Sequence, residues 1–336
     1  MMAQVFQSAF RVGSIDPIHF NASNTPGDQR HQEVKFVDSA GRDAPMPGPA
    51  PGKRKGAQQV ISVIVTAVKA EVAVVPCAAK ISSAGFTFFG RNADPRRGGD
   101  VRFSYMAVLA GIPDNTRTEG QLEARLQVLQ SKQFNQYLDR DTWPRIWYSE
   151  PYATKRPKTP LIFLSANNLN VESQNPAVTG WSDELAELPD LLSDGFSVRA
   201  MNVDSVGGHS GFYAASFILR DLNDLPPDTA TQNIWIDQGS EDRTEDYFRA
   251  ASFGGVPYPL NPGGQSGDTR SLDIYFDHPF LVPPIVLATG REENPVVPMI
   301  RNVTTHGFTA GVRNTDSVAR HALINWVAFG CSDGCG

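Results

Sequence analysis

Three Asn–Asp pairs recur at matched positions along the chain, Asn92/Asp94, Asn202/Asp204 and Asn314/Asp316, and such pairs are suited to gripping hydroxyl-rich ligands. A carboxamide both donates and accepts, and a carboxylate accepts strongly, so one loop can bond adjacent hydroxyls of a sugar ring. Arg91 and Arg313 precede the first and third pairs, whereas Met201 precedes the second. If ligands bind there, the second copy is the odd site out. The same residues also make Asx turns between strands, and a repeated fold repeats its turns. Both roles are open at the level of sequence.

Catalytic and metal chemistry find less support. His209 lies in VGGHSG, His278 precedes Pro279 and His306 precedes Gly307, with no HExxH, paired His or Cys cluster. The sequence therefore predicts no metal site and no cofactor. The run from Ser205 to Gly211 lacks the G-x-S-x-G order of a hydrolase elbow. Glu292-Glu293 resembles a carboxylate pair for acid–base work, but it is not repeated and sits beside Asn294-Pro295 in a loop-like stretch. No catalytic residue is assigned, and the expectation is a non-enzyme.

The elements that must position the Asn–Asp loops also repeat. In each copy a Gly-Phe pair stands seven residues before the Asn: Gly85-Phe86, Gly195-Phe196 and Gly307-Phe308, at intervals of 110 and 112 residues. A polar–aromatic pair inside an apolar strand closes each copy, read as Ser104-Tyr105, Ser216-Phe217 and Asn325-Trp326. Upstream, an aromatic-bearing strand (Phe36; Trp147-Tyr148; Tyr275-Phe276) leads through a Pro-rich loop to an apolar strand. Self-similarity at this period defines repeats near 5–113, 134–223 and 230–330. Short β-branched or aromatic runs, such as Val60 to Val65, Pro160 to Leu164 and Pro284 to Ala288, alternate with Gly- and Pro-rich turns. That pattern predicts an all-β fold of antiparallel sandwiches. Helical spacing occurs once: Leu122, Leu126 and Leu129 predict a short helix within a linker over 114–133.

The tryptophans sort by context. Trp326, flanked in alternation by Ile324 and Ala328, is expected in the core. Trp143, Trp147, Trp181 and Trp235 are expected to pack inside or between domains. Of these, Trp181, in the insertion-like TGWSDELAELPD, is the best candidate for exposure.

Bulk properties exclude several classes. The 336 residues carry a formal charge of −6, which opposes non-specific nucleic-acid binding. Lys53-Arg54-Lys55 and the cluster of Lys155, Arg156 and Lys158 lie among Pro and Gly and read as solvated loops. No run of about 18 apolar residues is present, so no membrane insertion is expected. Three cysteines, Cys77, Cys331 and Cys335, are too few for a disulfide framework. The opening residues lack the pattern of a secretory signal, so the expected location is cytoplasmic, with non-classical release as the alternative. The Pro/Gly-rich, then basic stretch over 43–58 reads as a mobile loop.

The third repeat resembles the H-type lectin family, the small β-sandwich of snail agglutinins and of the C-terminal part of discoidins. The likeness rests on Phe280, Pro283-Pro284, Val286, Asn302-Val303-Thr304, Gly307-Phe308 and Trp326-Val327-Ala328, over about 60 residues. The first two repeats share it mainly through their likeness to the third. The resemblance implies a six-stranded antiparallel sandwich, assembly in threes, and sugar sites near the interfaces. Three copies in one chain then imply a trimer built covalently. Where that family carries a loop Trp, this chain has Asn92, Asn202 and Asn314, followed by Ala93, Val203 and Thr315, with the Asp retained. The expectation is a multivalent, non-catalytic binder of glycans or glycoproteins; the alternative is an assembly module that uses the same sandwich without sugar.

Overall fold

Short apolar runs between turn residues become strands throughout the computed structural model. It describes residues 10–22, 28–37, 42–43, 45–46, 59–94, 97–111, 116–119, 122–147, 161–167, 177–183, 195–204, 206–219, 246–253, 269–276, 279–280, 282–291, 295–315 and 323–331. The first repeat supplies β1 (Phe10–Phe20), β2 (Gln29–Lys35), β3 (Gln59–Val68), β4 (Val74–Ser82), β5 (Gly85–Asn92) and β6 (Gly99–Gly111). A short β7 (Thr116–Glu119) follows. The second supplies β8 (Leu122–Phe134), β9 (Arg140–Trp147), β10 (Leu161–Asn167), β11 (Val178–Asp183), β12 (Gly195–Asn202) and β13 (Gly208–Leu219). The third supplies β14 (Asp246–Phe253), β15 (Thr269–Tyr275), β16 (Ile285–Arg291), β17 (Val296–Arg301), β18 (Gly307–Asn314) and β19 (Leu323–Cys331).

These strands form three mixed sheets, and each sheet joins strands of two repeats. The orders are β1-β6-β3-β17-β18-β15, β2-β5-β4-β10-β13-β8-β7 and β14-β19-β16-β11-β12-β9. Within a repeat all pairings are antiparallel. The joins are parallel: Val68 pairs Ile300, Cys77 pairs Ala166, and Trp181-Ser182 pairs Gly290-Arg291. A parallel join of one or two residues holds little by itself, so side chains on both faces of each sheet supply the rest.

Those faces explain the unbroken apolar runs. Side chains alternate across a strand, and both faces are covered here. Phe163 and Leu287 reach one continuous core that also contains Val63, Phe88 and Phe103, while their neighbours Leu164 and Ala288 reach two other cores. Ladder-edge hydroxyls tie the repeats across the centre. Thr66 Oγ1 donates to the Ala288 carbonyl at 3.1 Å and accepts from its N–H at 2.9 Å; Thr289 does the same toward Leu164 at 3.3 and 3.1 Å. Thr179 Oγ1 donates to the Val296 carbonyl at 2.9 Å.

The expected linker helix is strand β8, and no helix occurs among the described residues. Leu126 and Leu129 are both buried, but in different cores. An odd separation places them on opposite faces of a strand, so a helix-like spacing arose from a strand covered on both sides. The second repeat's strands therefore begin at Leu122, inside the expected linker. The closing pair of that repeat also shifts. Thr66, Ser165 and Thr289 line one central cavity, and across the ladder they face Ser104, Tyr213 and Asn325. Ser216-Phe217 lies three residues further along β13. Trp326 is in the core, as its alternation predicts. Trp235, the two basic clusters, Glu292-Glu293 and most of 43–58 lie outside the described residues.

Burial pushes the hydroxyls of two core tyrosines up to about 12: Tyr105, against the opposing pull of Arg11, and Tyr213, beside Cys77. Both are raised above the unfolded value of 10, so their stabilisation is complete below pH 10. It is lost as pH rises from 10 toward 12, where the unfolded chain ionises first, at about 1.4 kcal/mol per pH unit per tyrosine. The urea midpoint should fall steeply across that window, and Tyr105→Phe should reduce the slope; a parallel curve for the variant would contradict this.

Candidate functional site

The loops after β5, β12 and β18 carry the predicted Asn–Asp pairs, and local hydrogen bonds dictate their shape. Asn92 Oδ1 accepts from the Asp94 N–H at 2.7 Å, and Asn202 Oδ1 accepts from the Asp204 N–H at 2.8 Å. Each is the Asx geometry, with the side chain replacing a backbone acceptor. The amides then close their loops: Asn92 Nδ2 donates to the Arg97 and Asn21 carbonyls at 2.7 and 3.2 Å, and Asn202 Nδ2 to the Val206 carbonyl at 2.8 Å. Asn314 is buried at the corresponding place. Asp316 lies outside the described residues.

The charged members meet across repeats. Arg313 of the third repeat donates to Asp94 of the first at 3.0 Å, and Arg91 of the first pairs with Asp204 of the second. Arg91 also donates to Gln29 at 2.8 Å, and Arg97 stands 3.9 Å from Asp94. Arg91, Asp94, Asp204 and Arg313 are 2% to 6% exposed. Burial lowers the Arg313 pKa from its usual range, opposed by Asp94. A buried guanidinium with a carboxylate of its own is a fastening between repeats, because breaking it would leave a charge stranded out of water. At the remaining seam the position of the Arg is held by Met201, which is fully buried.

Solvent-facing chemistry lies instead on the outer face of β2, β9 and β15, which are strands at sheet edges. Trp147 is 61% exposed and Tyr275 76% exposed, while Trp181, the best candidate for exposure among tryptophans expected to pack, is 2% exposed within β11. Trp147 and Tyr275 occupy one register position: each faces the Gly of a Gly-Phe pair, Gly195 and Gly307, as Lys35 faces Gly85 in the first repeat. Two residues earlier stand Glu33, Arg145 and Asp273. Thr87 donates to Glu33 at 2.8 Å and Thr309 to Asp273 at 2.7 Å, so the same carboxylate–hydroxyl pair appears in repeats one and three. Asn302 Nδ2 reaches Thr309 at 3.3 Å from a left-handed backbone (φ 49°). The third repeat thus sets an open aromatic ring beside an oriented carboxylate, hydroxyl and carboxamide.

Strand alternation held the signal for this face. Phe276 points into the core, so the adjacent Tyr275 must point out. Among the described residues no group of three or more His, Cys, Asp or Glu is placed to hold a metal, and no helix is long and apolar enough to cross a membrane. Compared with protein-family models, with curated proteins and with solved structures, the chain matches none.

Proposed function

We propose that the chain is three six-stranded sandwiches arranged about a pseudo-threefold axis, acting as a non-catalytic, multivalent carbohydrate-binding protein with glycans or glycoproteins as partners. One observation carries the reading: Trp147 and Tyr275 project into solvent from equivalent positions, whereas the other large rings of the strands around them, Trp143, Phe196, Phe276 and Phe308, are buried. An exposed ring costs hydrophobic stabilisation, and a ring beside fixed polar groups offers a sugar both its apolar and its hydroxyl contacts. Single sugar sites are weak, and several on one rigid body gain by engaging one surface together.

Glycan-array binding of the intact chain, with Trp147→Ala, Tyr275→Ala and the double variant, tests this. Each single change should weaken multivalent binding, and the double change should reduce it about 100-fold or more, with the urea midpoint little altered because both rings are exposed. A second reading, an assembly module without sugar, draws on the Asn–Asp loops, whose described side chains serve turns and inter-repeat ion pairs. No glycan binding by folded wild-type protein would reject the lectin and leave that module.

A further inference from the structure

The outer faces of the second and third repeats carry different charge at one position. Beside Tyr275 stands Asp273, an acceptor already oriented by Thr309. Beside Trp147 stands Arg145, whose guanidinium carbon lies 4.7 Å from the indole centroid. Arg145 Nε and one of its Nη atoms are out of solvent and have no hydrogen-bond partner among the described residues. A bulge in β9 contributes to this placement: Pro144 and Arg145 together stand opposite Ser197, between the pairs Trp143–Val198 and Ile146–Phe196.

An orphaned pair of guanidinium donors is costly, and the group that satisfies both at once is a planar or tetrahedral oxyanion. The indole stacked on the guanidinium is mostly in solvent, so it can shift to admit two oxygens and then cover the ring that bears them. A neutral hydroxyl would satisfy one donor and leave the other. We propose that the β9 face binds an acidic sugar, a carboxylated or sulfated residue held by Arg145 and stacked on Trp147, while the β15 face binds a neutral one. This rests on the carbohydrate reading above and makes the chain heterovalent rather than a threefold copy of one site. The formal charge of −6 disfavours unspecific attraction of anions, so specificity for an acidic ligand has to come from local geometry.

The test is isothermal titration of the full chain with a galacturonic acid trisaccharide, its neutral methyl ester, and a sulfated trisaccharide, at low and moderate salt. The acid should bind about 10- to 100-fold tighter than the ester, the range of a charge-assisted guanidinium bond. Arg145→Gln should abolish that preference, bringing acid binding down to that of the ester; Arg145→Lys, which keeps charge but not the planar fork, should fall between. Tighter binding of the sulfated sugar, also lost in Arg145→Gln, supports the same site and assigns sulfate as its anion. Equal binding of acid and ester, or a preference that survives Arg145→Gln, overturns the proposal, and the lectin reading then stands or falls separately on Tyr275→Ala. Failure of the wild-type chain to bind any of the three sugars overturns it as well.

Discussion

Asp94→Ala should destabilise the chain by about 3–5 kcal/mol, the cost of removing one partner of a buried ion pair. Arg313 would remain 3% exposed with its carboxylate gone. Asp204→Ala should act alike through Arg91. The comparison that isolates the charge is the double variant Asp94→Leu with Arg313→Met, which puts at this seam what Met201 already provides at another. It should recover a large part of the loss, since apolar pairs replace buried ion pairs at little net cost. Urea unfolding of Asp94→Leu, of Arg313→Met and of the double forms a cycle; additive losses would mean that the pair is not coupled. The result also bears on function. If these carboxylates fasten repeats, their removal lowers stability and glycan binding together, whereas Tyr275→Ala lowers binding alone.

How much of this could be read from sequence depends on which force shaped each element. The Gly-Phe pairs were visible because the backbone itself requires them, and the all-β fold because turns and β-branched runs alternate. Trp326 was legible because a strand with Ile324 and Ala328 beside it alternates cleanly. Leu126 and Leu129 misled because periodicity identifies a face only when one face is buried; β8 is covered on both. Trp147 and Trp181 were ranked for exposure in the wrong order for a related reason. Trp181 lies in β11, the strand that joins β16 of the third repeat, so what read as an insertion is interior to a sheet. Trp147 ends an edge strand, where the outer face meets water. The Asn–Asp loops were located correctly in sequence, and their partners were not legible at all. Arg313 and Asp94 are 219 residues apart, and only the crossing of sheets between repeats brings them together.

That crossing also separates the positions that hold the sheets together from those that face water. The joins combine backbone pairing with side-chain contacts that differ from one to the next: Thr66 and Thr289 bond the neighbouring strand's backbone, the buried Ser165 hydroxyl has no hydrogen-bond partner among the described residues, and two seams carry a buried ion pair. The outer strands β2, β9 and β15 take no part in the joins. Their outward positions are free to become Lys35, Trp147 and Tyr275 without disturbing assembly.

Gly307→Ala should be among the most damaging of the small substitutions. A Cβ at Gly307 would fall on the carbonyl oxygen of Ile274, a backbone atom of the paired strand that no rotamer change can move. Gly195 and Gly85 meet the Ile146 and Val34 carbonyls in the same way, so the motif exists for close approach of two strands. Relief requires β15 to part from β18 at the Tyr275–Gly307 pair, and the neighbouring Ile274–Phe308 pair would be drawn with it. Phe308 packs edge-on against Trp326 at 5.2 Å and tilted against Phe276 at 5.8 Å, so the strain enters the core that these three rings share. Alanine would also restrict the unfolded chain and so favour folding, by about 0.4–1 kcal/mol, well short of a forced backbone shift of about 3 kcal/mol. Thermal unfolding should therefore show a large fall for Gly307→Ala, and comparable falls for Gly195→Ala and Gly85→Ala, whereas Thr309→Ala, two residues away on the same strand, should cost about 1 kcal/mol. Because Tyr275 faces Gly307, this variant should also displace the ring from its place beside Asp273 and lose neutral-sugar binding while acidic-sugar binding at Trp147 persists. Equal loss at both faces would show instead that the three copies unfold as one cooperative body.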